Sequence, residues 1–325
     1  MVSAPRLALG PGAVRLILAL MVFVSHVSAW NIGTAAVVLF LMLSGYWVSR
    51  IYLQGSYDGV GHYLAGRVMR LWPLVIVAAL TAWAIQMAVR GYPMGSLVST
   101  ILFPGIASRG DDVVGTVWSL DIELQFYILL PLVMAGLAAA GRRWQLALAA
   151  GAVAAFFAGI WLGRMGWLTA LIFAPAFAAG IWMERSQWTP GRGAAMLSLA
   201  AFLAALAVYA RLTPPDLEAA MALGVEHFSL ATLLVAVLAI PFVAWNVHQP
   251  SGPRDRWLGD LSYPFYLLHF PLIWALTQFL GDTPLMKILA LVVSLALTVA
   301  VNLWIDRPIE AWRRRRLQTR RARAA

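Results

Sequence analysis

Read for apolar and polar positions, the chain is a succession of long hydrophobic runs separated by short polar breaks. Ten runs qualify as membrane spans, at 13–30, 33–52, 71–89, 114–136, 144–162, 166–183, 194–210, 228–246, 257–280 and 285–305. At ~1.5 Å per residue, a helix of such length crosses a hydrocarbon core of ~30 Å. The breaks are built from turn formers and charge: GYPMG at 91–95, GRR at 141–143, TPGRG at 189–193, RLTPPD at 211–216, QPSGPRDR at 249–256 and GDTP at 281–284. None is long enough for a separate soluble domain, and no repeat of fixed period is present. The pattern predicts an all-α, polytopic integral membrane protein with about ten transmembrane helices.

Composition supports that reading. The 325 residues are 62% hydrophobic and only 12% charged, too little charge to cover the surface of a soluble domain. The absence of cysteine removes disulfides, thiolate metal sites, a cysteine nucleophile and S-acylation. The net charge of +10 matters through its distribution. An even number of spans puts both termini on one side, and cytoplasmic termini leave only Arg90, Arg109, Arg164, Arg211 and Lys287 outside. Both termini are therefore expected in the cytoplasm. The chain divides into a transmembrane domain, 1–312, and a basic cytoplasmic tail, 313–325, suited to holding topology and touching anionic lipid heads rather than nucleic acid. VSA at 27–29 imitates a signal-peptide cleavage site, but Ser25 and His26 interrupt the apolar region before it and nine spans follow.

Polar groups inside spans are costly and mark candidate chemistry. Arg15 and His26 stand eleven positions apart, ~3 turns, so both project from nearly one face about 16 Å apart along the axis. Taken alone, Arg15 also suits a snorkelling topogenic charge and His26 a hydrogen-bonded packing residue. Glu123 enters the fourth span at a depth close to that estimated for His26. A Glu–His pair would make the buried carboxylate tolerable and raise the basicity of the imidazole, although a structural hydrogen bond to a neighbouring helix would serve Glu123 as well. Asp121 is expected shallower and nearer water. Arg67 and Arg70, one turn apart in the loop ahead of Pro73, could clamp a phosphate, or could be positive-inside residues without a ligand. Trp118 and Ser119 are candidates for the same pocket, although a Trp near a membrane interface is more often a belt anchor. Tyr263, Tyr266 and His269 could line an acceptor path or simply pack. No close His and carboxylate cluster has the spacing of a metal site.

Several of these segments resemble, in order, the bacterial membrane-bound acyltransferase family 3. Arg15 and His26 match its Arg-x10-His element. LFLMLSGYWVSRIY at 39–52 looks like its Ser-Gly-aromatic second span, and RVMRLWP at 67–73 like its basic motif. VWSLDIELQFYILLP at 117–131 is similar to its Trp-Ser-Leu-x-x-Glu-x-x-Phe-Tyr signature, while LGDLSYPFYLLHFPL at 258–272 and IDRP at 305–308 resemble its closing elements. The chain departs from the family in lacking the fuller Leu-Asp-x-Leu-Arg-Gly opening and in carrying Asp306 where many members have Glu. With no esterase-like domain following, it resembles the stand-alone form.

The resemblance implies an O-acyltransferase of the bacterial inner membrane. Cytoplasmic acyl-CoA, acetyl-CoA foremost, would be its donor substrate, with no permanently bound cofactor. A hydroxyl of an envelope or exported carbohydrate or glycolipid would be the acceptor. Arg67, Arg70 and Arg15 would meet the donor, with His26 and Glu123 catalytic and Trp118, Ser119, Tyr263 and His269 around the substrate. Direct transfer and an acyl-His intermediate both remain open. Two other classes suit the residues: a proton-coupled transporter using His26 and Glu123 as a relay, and a non-catalytic partner of polysaccharide assembly.

Overall fold

The computed structural model describes residues 9–55, 59–212, 225–313 and 315, with side chains for all of these except 225–230. The described residues contain helices and no strand. In chain order the helices are α1 (Pro11–Val27), α2 (Gly33–Leu53), α3 (Val60–Arg90), α4 (Leu97–Leu102), α5 (Ile106–Arg109), α6 (Trp118–Ala139), α7 (Trp144–Arg164), α8 (Ala174–Ser186), α9 (Arg192–Leu212), α10 (Val225–Leu238), α11 (Ile240–Asn246), α12 (Pro253–Leu280) and α13 (Pro284–Val301). Among the described residues six helices are long and apolar enough to cross a membrane: α2, α3, α6, α7, α9 and the helix that starts with α13. The other expected spans fall on α1, α8, the broken pair α10–α11, and α12. The 211–216 break from residue 213 onward, and the basic tail at 314 and 316–325, lie outside the described residues.

Local signals explain where the helices begin and stop. Pro11, Pro253 and Pro284 start α1, α12 and α13, where a missing N–H costs nothing. Thr283 caps α13 by accepting from the Met286 amide. Gly91 ends α3 with φ of 80°, in the left-handed region open to glycine. Three expectations are corrected. The third span was placed at 71–89 behind a basic loop, but α3 is helical from Val60, so Arg67 and Arg70 lie within it and Pro73 stands inside the helix. The sixth span, expected as one run from 166, begins with a 3₁₀ turn at Ala170–Phe173 before α8. The fourth span, expected from 114, is α6 and starts at Trp118, because Asp112 accepts from the Val114 and Val117 amides and holds the preceding residues in a turn.

Two helix pairs are packed backbone to backbone. In α2 and α8, a methyl group built on Gly45 would lie 2.4 Å from the Phe177 carbonyl oxygen, and one on Gly180 would lie 2.1 Å from that of Met42. Small residues allow such approach where lipid offers no hydrophobic drive between helices. Phe126 of α6 stacks on Phe177 beside this contact, with ring centroids 3.9 Å apart. The second pair is α1 and α12. A methyl on Gly12 would meet the Asp255 carbonyl oxygen at 1.8 Å, and one on Gly259 would meet the Gly12 Cα at 3.0 Å. The Asp255 carboxylate accepts from the Gly12 and Ala13 amides at 3.0 and 2.8 Å, so α12 caps the start of α1. Because Gly12 meets Asp255 at one end and His26 meets Phe270 at the other, the two helices run parallel.

Candidate active site

The end of the bundle at which α1 and α12 begin encloses a cavity of about 780 Å³. Each neighbouring helix contributes a polar group: Arg15 from α1, Ser44 from α2, Arg67 and Arg70 from α3, Ser119, Glu123 and Tyr127 from α6, and Arg256, Asp260, Tyr263 and Tyr266 from α12. Arg307 and Arg313, from the helix that continues α13, complete the wall. Six guanidinium groups thus face the space alongside the carboxylates of Glu123 and Asp260. That excess of fixed, always-charged donors suits a ligand carrying several negative charges.

The arginines are held individually. Arg70 Nη1 lies 3.3 Å from Asp306 Oδ1, with its guanidinium carbon 5.5 Å from the centre of the Tyr263 ring. Asp306 closes a π-helical segment, Asn302–Asp306, between α13 and the helical residues that run on to Arg313. Such wide turns are frequent at functional sites, and this one carries Arg307 into the cavity wall. Arg313 is gripped by Glu310 through two hydrogen bonds of 2.8 Å. Arg67 is buried, 5.9 Å from the centre of the Tyr127 ring.

The expected pairing of Glu123 with His26 is not made. Glu123 Oε1 accepts from Ser44 Oγ at 2.7 Å and from the Tyr127 hydroxyl, both within the cavity. His26 lies at the far end of α1, exposed, with its ring 5.4 Å from His269 and 4.8 Å edge-on from Phe270. Glu123 lies with Arg15 at the cavity end and His26 at the other end of α1: Val113, Val114 and Val117 are already buried ahead of α6, so Glu123 is deeper than a count from the edge of its span gives. Asp121 is a second correction. Expected near water, it is 1% exposed, because its carboxylate accepts from the Ala107 amide and fastens α5 over the start of α6. In the same loop, burial pushes the Asp112 carboxyl above its usual range, against the downward pull of the Val114, Val117 and Gly115 amides.

A row of side chains joins the two regions. Ser119 Oγ and the Tyr266 hydroxyl are 2.7 Å apart on the cavity wall. The Tyr266 ring lies 6.1 Å from His269, which neighbours His26. His269 is fully buried, with Nδ1 3.0 Å from the Phe265 carbonyl. A carbonyl only accepts, so in the neutral ring Nδ1 bears the hydrogen and Nε2 the lone pair. Tyr263 also lines the cavity and donates to the Leu71 carbonyl, whereas Trp118 packs towards Phe173, 6.4 Å between ring centres.

Of the residues singled out in the sequence, Arg15, Arg67, Arg70, Ser119, Glu123, Tyr263 and Tyr266 line this cavity, Glu123 against the expectation that it lies beside His26, while Ser44, Tyr127, Arg256, Asp260, Arg307 and Arg313 were not singled out. Tyr127 was within reach of pattern, standing four residues after Glu123 on one helical face. The last three arginines looked like charges that anchor span ends.

A helical bundle with several membrane-crossing helices and a polar cavity inside it is the architecture of a polytopic membrane protein. Residues 10–307 match the acyltransferase domain of acyltransferase family 3, and the chain belongs to that family. It is a multi-pass membrane acyltransferase. No curated protein and no solved structure matches the chain.

Proposed function

We propose that the protein is an O-acyltransferase of the bacterial inner membrane. In this reading it takes its acyl group, acetyl foremost, from cytoplasmic acyl-CoA and delivers it to a hydroxyl of an envelope or exported carbohydrate or glycolipid. The observation that carries this reading is the separation of charge and base: an arginine-walled cavity at one end of α1 and an exposed histidine at the other. The donor's phosphates would lie among Arg15, Arg67, Arg70 and the arginines of the wall, which matches the acyl-CoA side to the cytoplasm under the charge-based topology. The chain length from Arg15 to His26, about 16 Å as a helix, is a span that an extended pantetheine arm can bridge.

His26 takes the proton of the acceptor hydroxyl as its oxygen attacks the thioester carbonyl. Glu123 acts within the cavity, ordering Ser44 and Tyr127 beside the guanidinium groups instead of supporting His26. Ser119 and Tyr266 hold the wall between the donor space and the histidines, with His269 packed behind His26.

The test is mass spectrometry of envelope and exported glycans from cells carrying the wild-type chain or His26→Ala at matched membrane abundance. An acyl mass present with the first and lost with the second is the expected result and identifies acyl group and acceptor together. Identical glycans would remove His26 from the catalytic role.

A further inference from the structure

The inner face of α13 carries a line of polar residues that the proposed reaction does not use. Ser294, Thr298 and Asn302 follow one another at four-residue intervals, all with no exposed surface, and Asp306 continues the line to the cavity through Arg70. Four-residue spacing puts them on one face, over about 18 Å from Ser294 to Asp306. Ser294 Oγ, Thr298 Oγ1 and Asn302 Oδ1 have no hydrogen-bond partner among the described residues. A hydroxyl in a membrane helix usually donates to the carbonyl four residues back, and neither hydroxyl does so here. Buried polar atoms without partners are costly, so three in succession need an explanation.

A fourth such atom lies at the same depth. His269 Nε2 is buried without a partner among the described residues. α12 and α13 are joined by the short Gly281–Thr283 turn and pack through Phe265, Ile273, Met286 and Ala290. Ser294 and His269 stand about eleven and twelve positions from that turn, so at ~1.5 Å per residue they share one level. At the opposite end of the line, the π-helical turn brings Asn302 Nδ2 to 3.5 Å from Asp306.

We propose that this face of α13 holds a file of ordered waters bonded to Ser294, Thr298 and Asn302, connecting the Arg70–Asp306 pair with His269 and His26. Polar, protein-enclosed sites of this kind are where buried water is retained. The role of the file rests on the acyltransferase reading, but its existence does not. In that role, the O–H bond of the acceptor and the C–S bond of the thioester break, and O–C and S–H bonds form. No electron is gained or lost. The proton taken by His26 ends on the sulfur left beside it, and the file, which reaches His269 and His26, keeps that imidazole in proton exchange with the Arg70–Asp306 pair.

X-ray radiolytic footprinting of the full chain in lipid nanodiscs tests this without any substrate, since hydroxyl radicals born from bound water oxidise the side chains beside it. Normalised to the intrinsic reactivity of each residue type, His269 and Val301, both buried, should be oxidised at least fivefold faster than Phe177, which is equally buried in the α2–α8 contact. In Ser294→Ala/Thr298→Val, with an unchanged thermal midpoint, that oxidation should fall to the Phe177 rate. Wild-type rates no higher than that of Phe177 would overturn the file. Equal oxidation in wild type and double variant would show water held by other groups and overturn the assignment to α13. Because no acyl transfer is measured, either result leaves the glycan experiment to judge the reaction.

Discussion

At the scale of single residues, glycine decides how closely this molecule packs. Gly45 sits between Ser44, which bonds Glu123, and Tyr46, which is fully buried, and its hydrogen faces the α8 backbone. The sequence displays the Ser-Gly-aromatic triplet but not the reason for its middle member, which is contact with a helix more than a hundred residues away. Gly180→Ala gains up to ~1 kcal/mol of helix propensity. Overpacking against the α2 backbone costs about 1–3 kcal/mol, so the net change is destabilising. A lower thermal midpoint in detergent is the expected result. Gly136→Ala, with open space around it, should leave the midpoint unchanged or raise it. Equal midpoints for the two variants would refute the close α2–α8 contact. The pairing of His26 with Glu123 failed at this same scale. Counting depth from the edge of a span assumes that the span begins at the membrane surface, whereas here Val113, Val114 and Val117 are buried before α6 begins.

At the scale of elements, the helices themselves were legible because the apolar runs are long and their breaks contain Gly and Pro. Two features of the elements were not. The basic motif at 67–73 looks like a loop that precedes a span, yet α3 runs straight through it. The π-helical segment at 302–306 has no pattern to read, since the widening of a turn by one residue comes from the contacts it makes, here Asp306 to Arg70. That contact joins the third helix to the last and should behave as a unit. Arg70→Ala and Asp306→Asn should each lower the thermal midpoint and weaken retention of coenzyme A, measured by calorimetry with the purified chain. The double variant should lose less than the sum of the two, by a coupling of about 1–3 kcal/mol. Strict additivity would show that the pair contributes nothing beyond its separate charges.

At the scale of the whole molecule, the all-α class, the multi-pass membrane character and the family were visible in the chain. The arginine-walled cavity was visible only in part, because Arg256, Arg307 and Arg313 occupy span ends where basic residues also set topology. The orientation derived from those charges has its own test. The chain has no cysteine, so single cysteines can be introduced and labelled with a membrane-impermeant maleimide in intact cells. Cysteines at Asp111 and Asp282 should label, and those at Arg143 and Thr189 should not. The reverse pattern would turn the cavity outward and exclude a cytoplasmic donor. The capping of α1 by Asp255 bears on how the molecule is made. Its two hydrogen bonds join residues 243 and 242 positions apart, so α1 leaves the ribosome long before its main partner α12. At ~5–20 residues per second, that is a wait of roughly 12–50 s. Throughout it, the start of α1 lacks the Asp255 cap and Arg15 its final surroundings, so newly made chains should depend on the insertion machinery, or on a chaperone beside it, to shelter this helix until α12 arrives.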